Sequence, residues 1–150
     1  MILVRHALAE RVESDRVVKL RAPRLLLAKT RWRAAAEDGA DFGFDLQQPL
    51  RDGDSFHRQG ETLYVIEQEA EAVLLVDPGS ARAQWARIGW ALGNLHQPVE
   101  VTEEGFRLAD DPAARQRIAQ MGLSYRAVQA VFHPPRTTAH AHHGAGHDHA

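Results

Sequence analysis

Hydrophobic and polar residues alternate over short runs in the first half of the chain, and this alternation predicts β strands. The runs cover residues 17–22, 24–34, 42–46 and 62–68. Polar segments that each contain a glycine separate them, at 37–41, 51–54 and 58–61, and are typical of turns. Several short strands with regular turns predict a small β-sandwich or barrel domain over residues 1–72.

In the second half, the apolar spacing changes to one that predicts helices between strands. The stretch AVLLVD (72–77), which is apolar up to Val76, predicts a buried strand. A helix follows, in which large apolar residues recur every three or four positions, at Trp85, Ile88 and Leu92. Ser80 is predicted to cap this helix, and Gly93 or Asn94 to end it in a left-handed conformation.

The remaining predicted elements are a strand pair, a second helix and a last strand, at 98–109, 111–122 and 125–132. Asp111 followed by Pro112 is typical of a helix start, because an acidic cap and a proline in the first turn both suit that position. The resulting order, β-α-β-β-α-β, is that of a ferredoxin-like domain, which we place at residues 73–136. The predicted fold class is therefore α+β.

The C-terminal residues have a composition of their own. Five of the nine histidines fall within the last eleven residues, HAHHGAGHDHA, and the residues after Pro135 include no large apolar side chain. Such a segment cannot build a hydrophobic core. We predict that residues 137–150 form a disordered, histidine-rich tail.

Charge and composition narrow the class of protein. The net charge is −2 in 150 residues, which gives no general attraction to nucleic acid or anionic lipid. No apolar run approaches the roughly 18 residues that span a bilayer, and the N-terminus lacks the apolar segment of a signal peptide. We expect a cytoplasmic protein that binds neither nucleic acid nor membranes. The absence of cysteine excludes disulfides and thiolate metal ligands.

The tail histidines predict metal binding. Imidazole suits Ni, Zn and Cu ions, and closely spaced imidazoles on a mobile segment can reach one ion together. His140, His142 and His143 form one such group, and His147 and His149 form a second. Because these ligands must be ordered on binding, the tail should bind weakly and exchange metal readily.

The sequence shows no nucleophile–base pair, phosphate loop or H-E-x-x-H helix, so we do not expect an enzyme.

One further histidine, His96, lies in the stretch GWALGNLHQPVEV (89–101). By itself, a single histidine in a turn is more often a structural residue than a metal ligand. The stretch, however, resembles the motif Y-x-L-G-N-R-H-x-P-V-x-V of the UreE family, the urease accessory nickel metallochaperones. The stretch LRDGDSF (50–56) resembles the L-R-D-G-D element of the same family, and the β domain, ferredoxin-like domain and histidine-rich end follow in the same order.

The resemblance implies a function and a set of partners. The first domain is similar to a chaperone-type peptide-binding module, and the second binds metal and forms a homodimer. His96 and its copy would bind one Ni(II) at the dimer two-fold axis. The nickel would pass to the urease apoprotein through its accessory assembly proteins, including the accessory GTPase.

The chain also departs from the family motif. Leu95 replaces the motif arginine, and Trp90 represents the motif aromatic. Residues 107–112 contain no histidine, so a third fixed site is not expected there. His133 is a candidate ligand that could join the site as the tail folds back. The other histidines, His6 and His57, are predicted to be surface or structural residues.

Two alternatives to nickel delivery stay open. The tail could act as a general buffer for Ni, Zn or Cu ions. Alternatively, the first domain could be a protein-binding scaffold that metal binding regulates. Zn(II) or Cu(II) can occupy imidazole sites in vitro, and Cu(II) should outcompete Ni(II) on intrinsic affinity. Selectivity for nickel would therefore have to come from cellular supply and from the partner.

Imidazole ligation predicts a strong pH dependence of metal binding. An unperturbed histidine titrates at about 6.5, and only the neutral ring ligates a metal. We expect the affinity for Ni(II) to fall steeply between about pH 7 and about pH 5. Isothermal titration calorimetry at both pH values measures this, and an affinity that does not change would exclude imidazole ligands.

Overall fold

A computed structural model describes residues 1–8 and 14–135 of the chain, so the predicted tail at 137–150 lies outside the described residues. Within those ranges the chain forms ten strands and three helices, and its mixed α+β character is confirmed. In chain order the elements are β1 (Ile2–Val4), β2 (Arg16–Ala22), α1 (Arg24–Leu27), β3 (Arg31–Ala35), β4 (Asp41–Asp45), β5 (Ser55–Gln59), β6 (Thr62–Gln68), β7 (Glu71–Val76), α2 (Arg82–Gly93), β8 (Glu100–Thr102), β9 (Gly105–Ala109), α3 (Pro112–Gln120) and β10 (Tyr125–Ala130).

The strands that precede β7 form two three-stranded sheets, in the orders β1-β4-β3 and β2-β6-β5. Aromatic side chains fill the core that the two sheets share. The fully buried ring of Phe42 meets the edges of Phe56 and Tyr64 at centroid distances of 5.0 and 4.9 Å, and Trp32 stacks on Phe44 at 3.9 Å. Such aromatic contacts add to the free energy of burial.

The prediction of one continuous strand over residues 24–34 is wrong. Residues 24–27 form a helical turn, in which the backbone N–H groups of Leu26 and Leu27 both donate to the carbonyl oxygen of Pro23. Of the three leucines only Leu27 is buried, and the strand begins later, at Arg31. Proline favours this start, because its fixed φ suits the beginning of a helix.

Two strands, β1 and β5, were not predicted. β1 is three residues long and pairs in parallel with β4, about forty positions away in the chain. β5 has the sequence SFHRQ, with Phe56 as its one buried residue. Neither strand has the apolar alternation that marks a strand, and each depends on a partner that the local sequence does not reveal.

The second half follows the predicted order of elements, β7-α2-β8-β9-α3-β10. Its four strands form one antiparallel sheet in the order β10-β7-β9-β8. One face of the sheet packs against the two helices through a buried core of Leu74, Val76, Ile88, Leu92, Phe106, Leu108, Ala114 and Ile118. The proposed boundaries of the two domains, 1–72 and 73–136, stay a prediction.

The two helices begin differently. Asp111 caps α3, since its side chain accepts a hydrogen bond of 2.8 Å from the backbone N–H of Ala114, and Pro112 occupies the first turn as predicted. The predicted Ser80 cap of α2 is wrong. The N-cap is Ala81, which makes no side-chain capping bond, and the indole N–H of Trp85 instead donates to the carbonyl oxygen of Gly79 at 2.8 Å.

The segment after β10 returns to the end of β6. Phe132 is fully buried, and its carbonyl oxygen accepts a hydrogen bond of 2.7 Å from the buried Gln68 side chain. The Arg24 guanidinium lies 4.9 Å from the centre of the Phe132 ring and makes two 2.8 Å hydrogen bonds with Glu71. These contacts join the first half of the chain to the residues just before the histidine-rich end.

No helix in the described part of the chain is long and apolar enough to cross a membrane.

Replacing Phe132 with alanine should destabilise the fold by about 3–5 kcal/mol, because it empties a fully buried aromatic position. Urea unfolding followed by circular dichroism measures the loss. Leu25→Ala is the control, since Leu25 is 68% exposed and its truncation should change stability by about 0.5 kcal/mol or less. Equal effects of the two substitutions would contradict the role given to Phe132.

Candidate metal-binding site

His96 lies in the turn that leaves helix α2. The last backbone N–H groups of the turn donate to the end of the helix: Asn94 to Trp90 O at 3.2 Å, Leu95 to Leu92 O at 3.1 Å, and His96 to Gly93 O at 3.4 Å. The chain then passes through Pro98 into the edge strand β8.

The left-handed residue of this turn is His96 itself, with φ of 54°. The prediction that Gly93 or Asn94 would take this conformation is wrong, because Gly93 belongs to the helix and Asn94 has φ of −71°. Among the described residues, His96 is the one residue other than glycine with positive φ. A left-handed backbone costs a side-chain-bearing residue about 1–2 kcal/mol, so its neighbours must hold it in place.

The neighbours of His96 fix the turn on both sides. Leu95 and Val99 are partly buried and pack against the core between the sheet and the two helices. Arg117, on α3, donates from Nη1 to the carbonyl oxygen of Leu95 at 3.4 Å. His96, between these anchors, is exposed. The sequence therefore places one accessible imidazole on a turn whose backbone is held by packing.

The two elements next to the turn each expose a large apolar side chain. Trp90, on α2, is 72% exposed, and Val101, on β8, is 65% exposed. Contact with another protein would remove this apolar surface from water.

The described residues do not complete a metal site around His96. No group of three or more His, Cys, Asp or Glu side chains with metal-binding geometry occurs within residues 1–8 and 14–135. One imidazole does not hold a transition-metal ion firmly, since such ions take four or more ligands. Additional protein ligands for His96 would have to come from a second chain or from residues outside the described part.

The other predicted ligands fall into two groups. The tail histidines lie outside the described residues: His140, His142, His143, His147 and His149. His133 is described and exposed, and its Nε2 lies 3.4 Å from Oδ2 of Asp52. The structure thus pairs His133 with a carboxylate in the LRDGD segment of the first half.

His57 and His6 were predicted to be structural or surface residues. The half-buried ring of His57 packs against Phe42 and Tyr64, with centroid distances of 5.5 and 5.7 Å. His6 is exposed and lines a shallow surface pocket together with Arg51. Both positions agree with the prediction.

Sequence reasoning missed two residues near the candidate ligands, Asp52 and Arg117. Asp52 belongs to a segment that the sequence marked only as a turn and as part of a family resemblance. Arg117 was one of several exposed charges on a predicted helix. Their contacts with His133 and with the His96 turn join positions far apart in the chain, and no local pattern signals such contacts.

Comparison with known proteins connects the chain to a family. A family model described as the UreE urease accessory protein C-terminal domain matches residues 71–150. The chain is 32% identical over 139 residues to the urease accessory protein UreE of Ralstonia nicotianae, with 88% of this chain and 65% of that protein covered. It is 34% identical over 135 residues to the protein of the same name from Burkholderia mallei strain SAVP1, with 85% and 66% covered.

A third relative, the urease accessory protein UreE of Azotobacter vinelandii, is 29% identical over 153 residues, and the alignment covers 100% of this chain and 88% of that protein. The chain spans about two thirds of the length of the Ralstonia and Burkholderia relatives, at 65% and 66%.

The left-handed backbone at His96 gives a stability prediction. His96→Gly should be more stable than His96→Ala by about 1 kcal/mol, because glycine adopts positive φ without the steric cost that alanine has. Ala86, exposed within α2, is the matched control, and there Ala86→Gly should lose about 1 kcal/mol. Urea unfolding of the variants measures both differences, and an alanine variant at position 96 that matches or exceeds glycine would contradict the assigned conformation.

Proposed function

Because the chain belongs to the UreE urease accessory protein family, we propose that it takes part in urease maturation as a homodimeric carrier of Ni(II). Nickel is the cargo in this proposal, and the protein makes and breaks no covalent bonds. The single observation that carries it is the exposed His96 on a fixed turn, with too few further ligands in the described part of its own chain.

Pairing of two subunits would solve the shortage of ligands. A two-fold axis beside His96 would bring two copies of one imidazole together, since a two-fold interface repeats each residue on both sides. Neutral imidazole is a good ligand for Ni(II). The remaining coordination positions would be filled by water or by tail histidines.

The exposed apolar residues next to the turn support this pairing surface. Trp90 and Val101 lie on α2 and β8, the two elements that His96 connects. Burying apolar surface contributes roughly 25 cal/mol for each Å² removed from water, and tryptophan is enriched at the centres of protein interfaces. A second copy of the chain on this side would cover both residues while bringing the two His96 rings together.

The proposed site suits a carrier better than a permanent metal centre. Two protein ligands hold an ion less firmly than the four of a structural site, and they leave positions open for exchange. Tail histidines would capture Ni(II) and pass it to the His96 pair. From there the ion would move to the urease apoprotein through its accessory assembly proteins, including the accessory GTPase.

Nickel stoichiometry separates this proposal from a general metal buffer. Equilibrium dialysis of the full chain should give several Ni(II) per dimer, and deletion of 137–150 should leave one. His96→Ala in the deleted chain should remove that last ion, because the paired imidazoles are lost. His6→Ala is the matched control, since it removes an exposed histidine elsewhere on the surface.

The same measurement tests the role of subunit pairing. Trp90→Glu in the deleted chain should yield monomers in analytical ultracentrifugation and lose the same ion although His96 is intact. If deletion of the tail abolished all binding, the protein would be a tail-based metal buffer. If the Trp90→Glu monomer kept its nickel, the paired site would be excluded.

A further inference from the structure

We propose a second metal site, formed by Asp52 and His133 at the start of the histidine-rich end, that takes Zn(II). Asp52 lies in the turn before β5, and His133 follows β10 by three positions. The fold brings Oδ2 of the carboxylate to 3.4 Å from Nε2 of the imidazole. This site uses residues of one chain and does not depend on the His96 pair.

The distance fits two metal ligands better than a hydrogen bond. A charge-assisted hydrogen bond between nitrogen and a carboxylate oxygen is about 2.7–2.9 Å long. Within the described ranges, neither ring nitrogen of His133 makes a hydrogen bond with another residue. Zinc–nitrogen and zinc–oxygen bonds of about 2.0–2.1 Å in a tetrahedron place two ligand atoms about 3.4 Å apart. The observed separation is that of an ion pair, and it also matches one edge of a zinc tetrahedron.

A hydrogen-bond network holds both ligands in place. The other carboxylate oxygen of Asp52, Oδ1, accepts a bond of 2.8 Å from the backbone N–H of Gln68. The side chain of Gln68 in turn holds the carbonyl oxygen of Phe132, the residue before His133, and Phe132 is fully buried. Outer contacts of this kind orient metal ligands and raise their affinity. The two ligands are thus connected through one residue, Gln68.

The site is accessible and has room for further ligands. The side chains of His133 and Asp52 are 49% and 33% exposed. Both line a groove of about 780 Å³, which also includes Pro98 and Pro135. Arg24 lies on the same groove, and its charge is offset by the paired hydrogen bonds to Glu71. Water can therefore occupy the open positions of a bound ion.

The ligand set indicates the class of metal. One imidazole and one carboxylate are a common part of zinc sites, and zinc accepts tetrahedral geometry without preference from its d electrons. Two adjacent ligand atoms of an octahedral ion with bonds of about 2.1 Å lie about 3.0 Å apart, which is shorter than the observed separation. A bound zinc ion would connect His133, which leads into the histidine-rich end, to the turn that contains Asp52. This site would add one ion for each chain, whereas the His96 pair adds one for each dimer.

Zinc titration of the full chain, followed by NMR of the histidine rings, tests the site directly. We expect ZnCl₂ to shift the His133 resonances, and Asp52→Asn to weaken that response at least about tenfold in apparent affinity. Asparagine keeps an acceptor for the Gln68 N–H, so the network survives the substitution. Asp41→Asn is the control, since it removes an exposed carboxylate elsewhere and should leave the response unchanged.

A second variant covers the case in which Asp52→Asn disturbs the fold. His133→Gln should lower the zinc content of the full chain by one ion per chain. The proposal is overturned if His133 responds equally in Asp52→Asn, if its resonances do not move with excess zinc, or if His133→Gln binds as much zinc as the parent. The His96 resonances in the same spectra report on the other site, so failure of one proposal is distinguishable from failure of the other.

Discussion

The turn after helix α2 places one residue that bears a side chain, His96, in the left-handed backbone region. The packing of Leu95 and Val99 and the hydrogen bond from Arg117 hold this conformation against its steric cost. The result is one accessible imidazole on a fixed support. Because the described part of a single chain supplies no complete ligand set, this imidazole becomes a metal site only with ligands from elsewhere. The proposed pairing of two subunits would supply a second imidazole.

A second constraint connects the two halves of the chain. Gln68 donates through its backbone to Asp52 and through its side chain to Phe132, and both bonds lie next to the position of His133. The buried Phe132 ring and the Arg24–Glu71 pair strengthen the same junction. The histidine-rich end therefore begins at a residue anchored to the LRDGD segment. That connection gives a physical role to a segment that the sequence marked only by its turn residues and its resemblance.

The second half of the fold was largely predictable because its signals are local. Helical spacing of apolar residues and the Asp111-Pro112 start located α2 and α3, and the predicted order of elements was confirmed. The helix at 24–27, strand β1 and the left-handed His96 were not predicted, since each depends on a distant partner or on competition between neighbouring turn residues. The family and the His96 candidate came from the resemblance, whereas Asp52 became visible only when the fold placed it beside His133.

In the proposed carrier, two copies of His96 hold one ion at a subunit interface. Anomalous X-ray scattering at the nickel edge, from crystals of the nickel-loaded full chain, tests it most directly. A nickel peak is expected on a two-fold axis, within coordination distance of the His96 rings of both subunits. Nickel bound to a single chain, with the two His96 rings apart and without a shared ion, would contradict it.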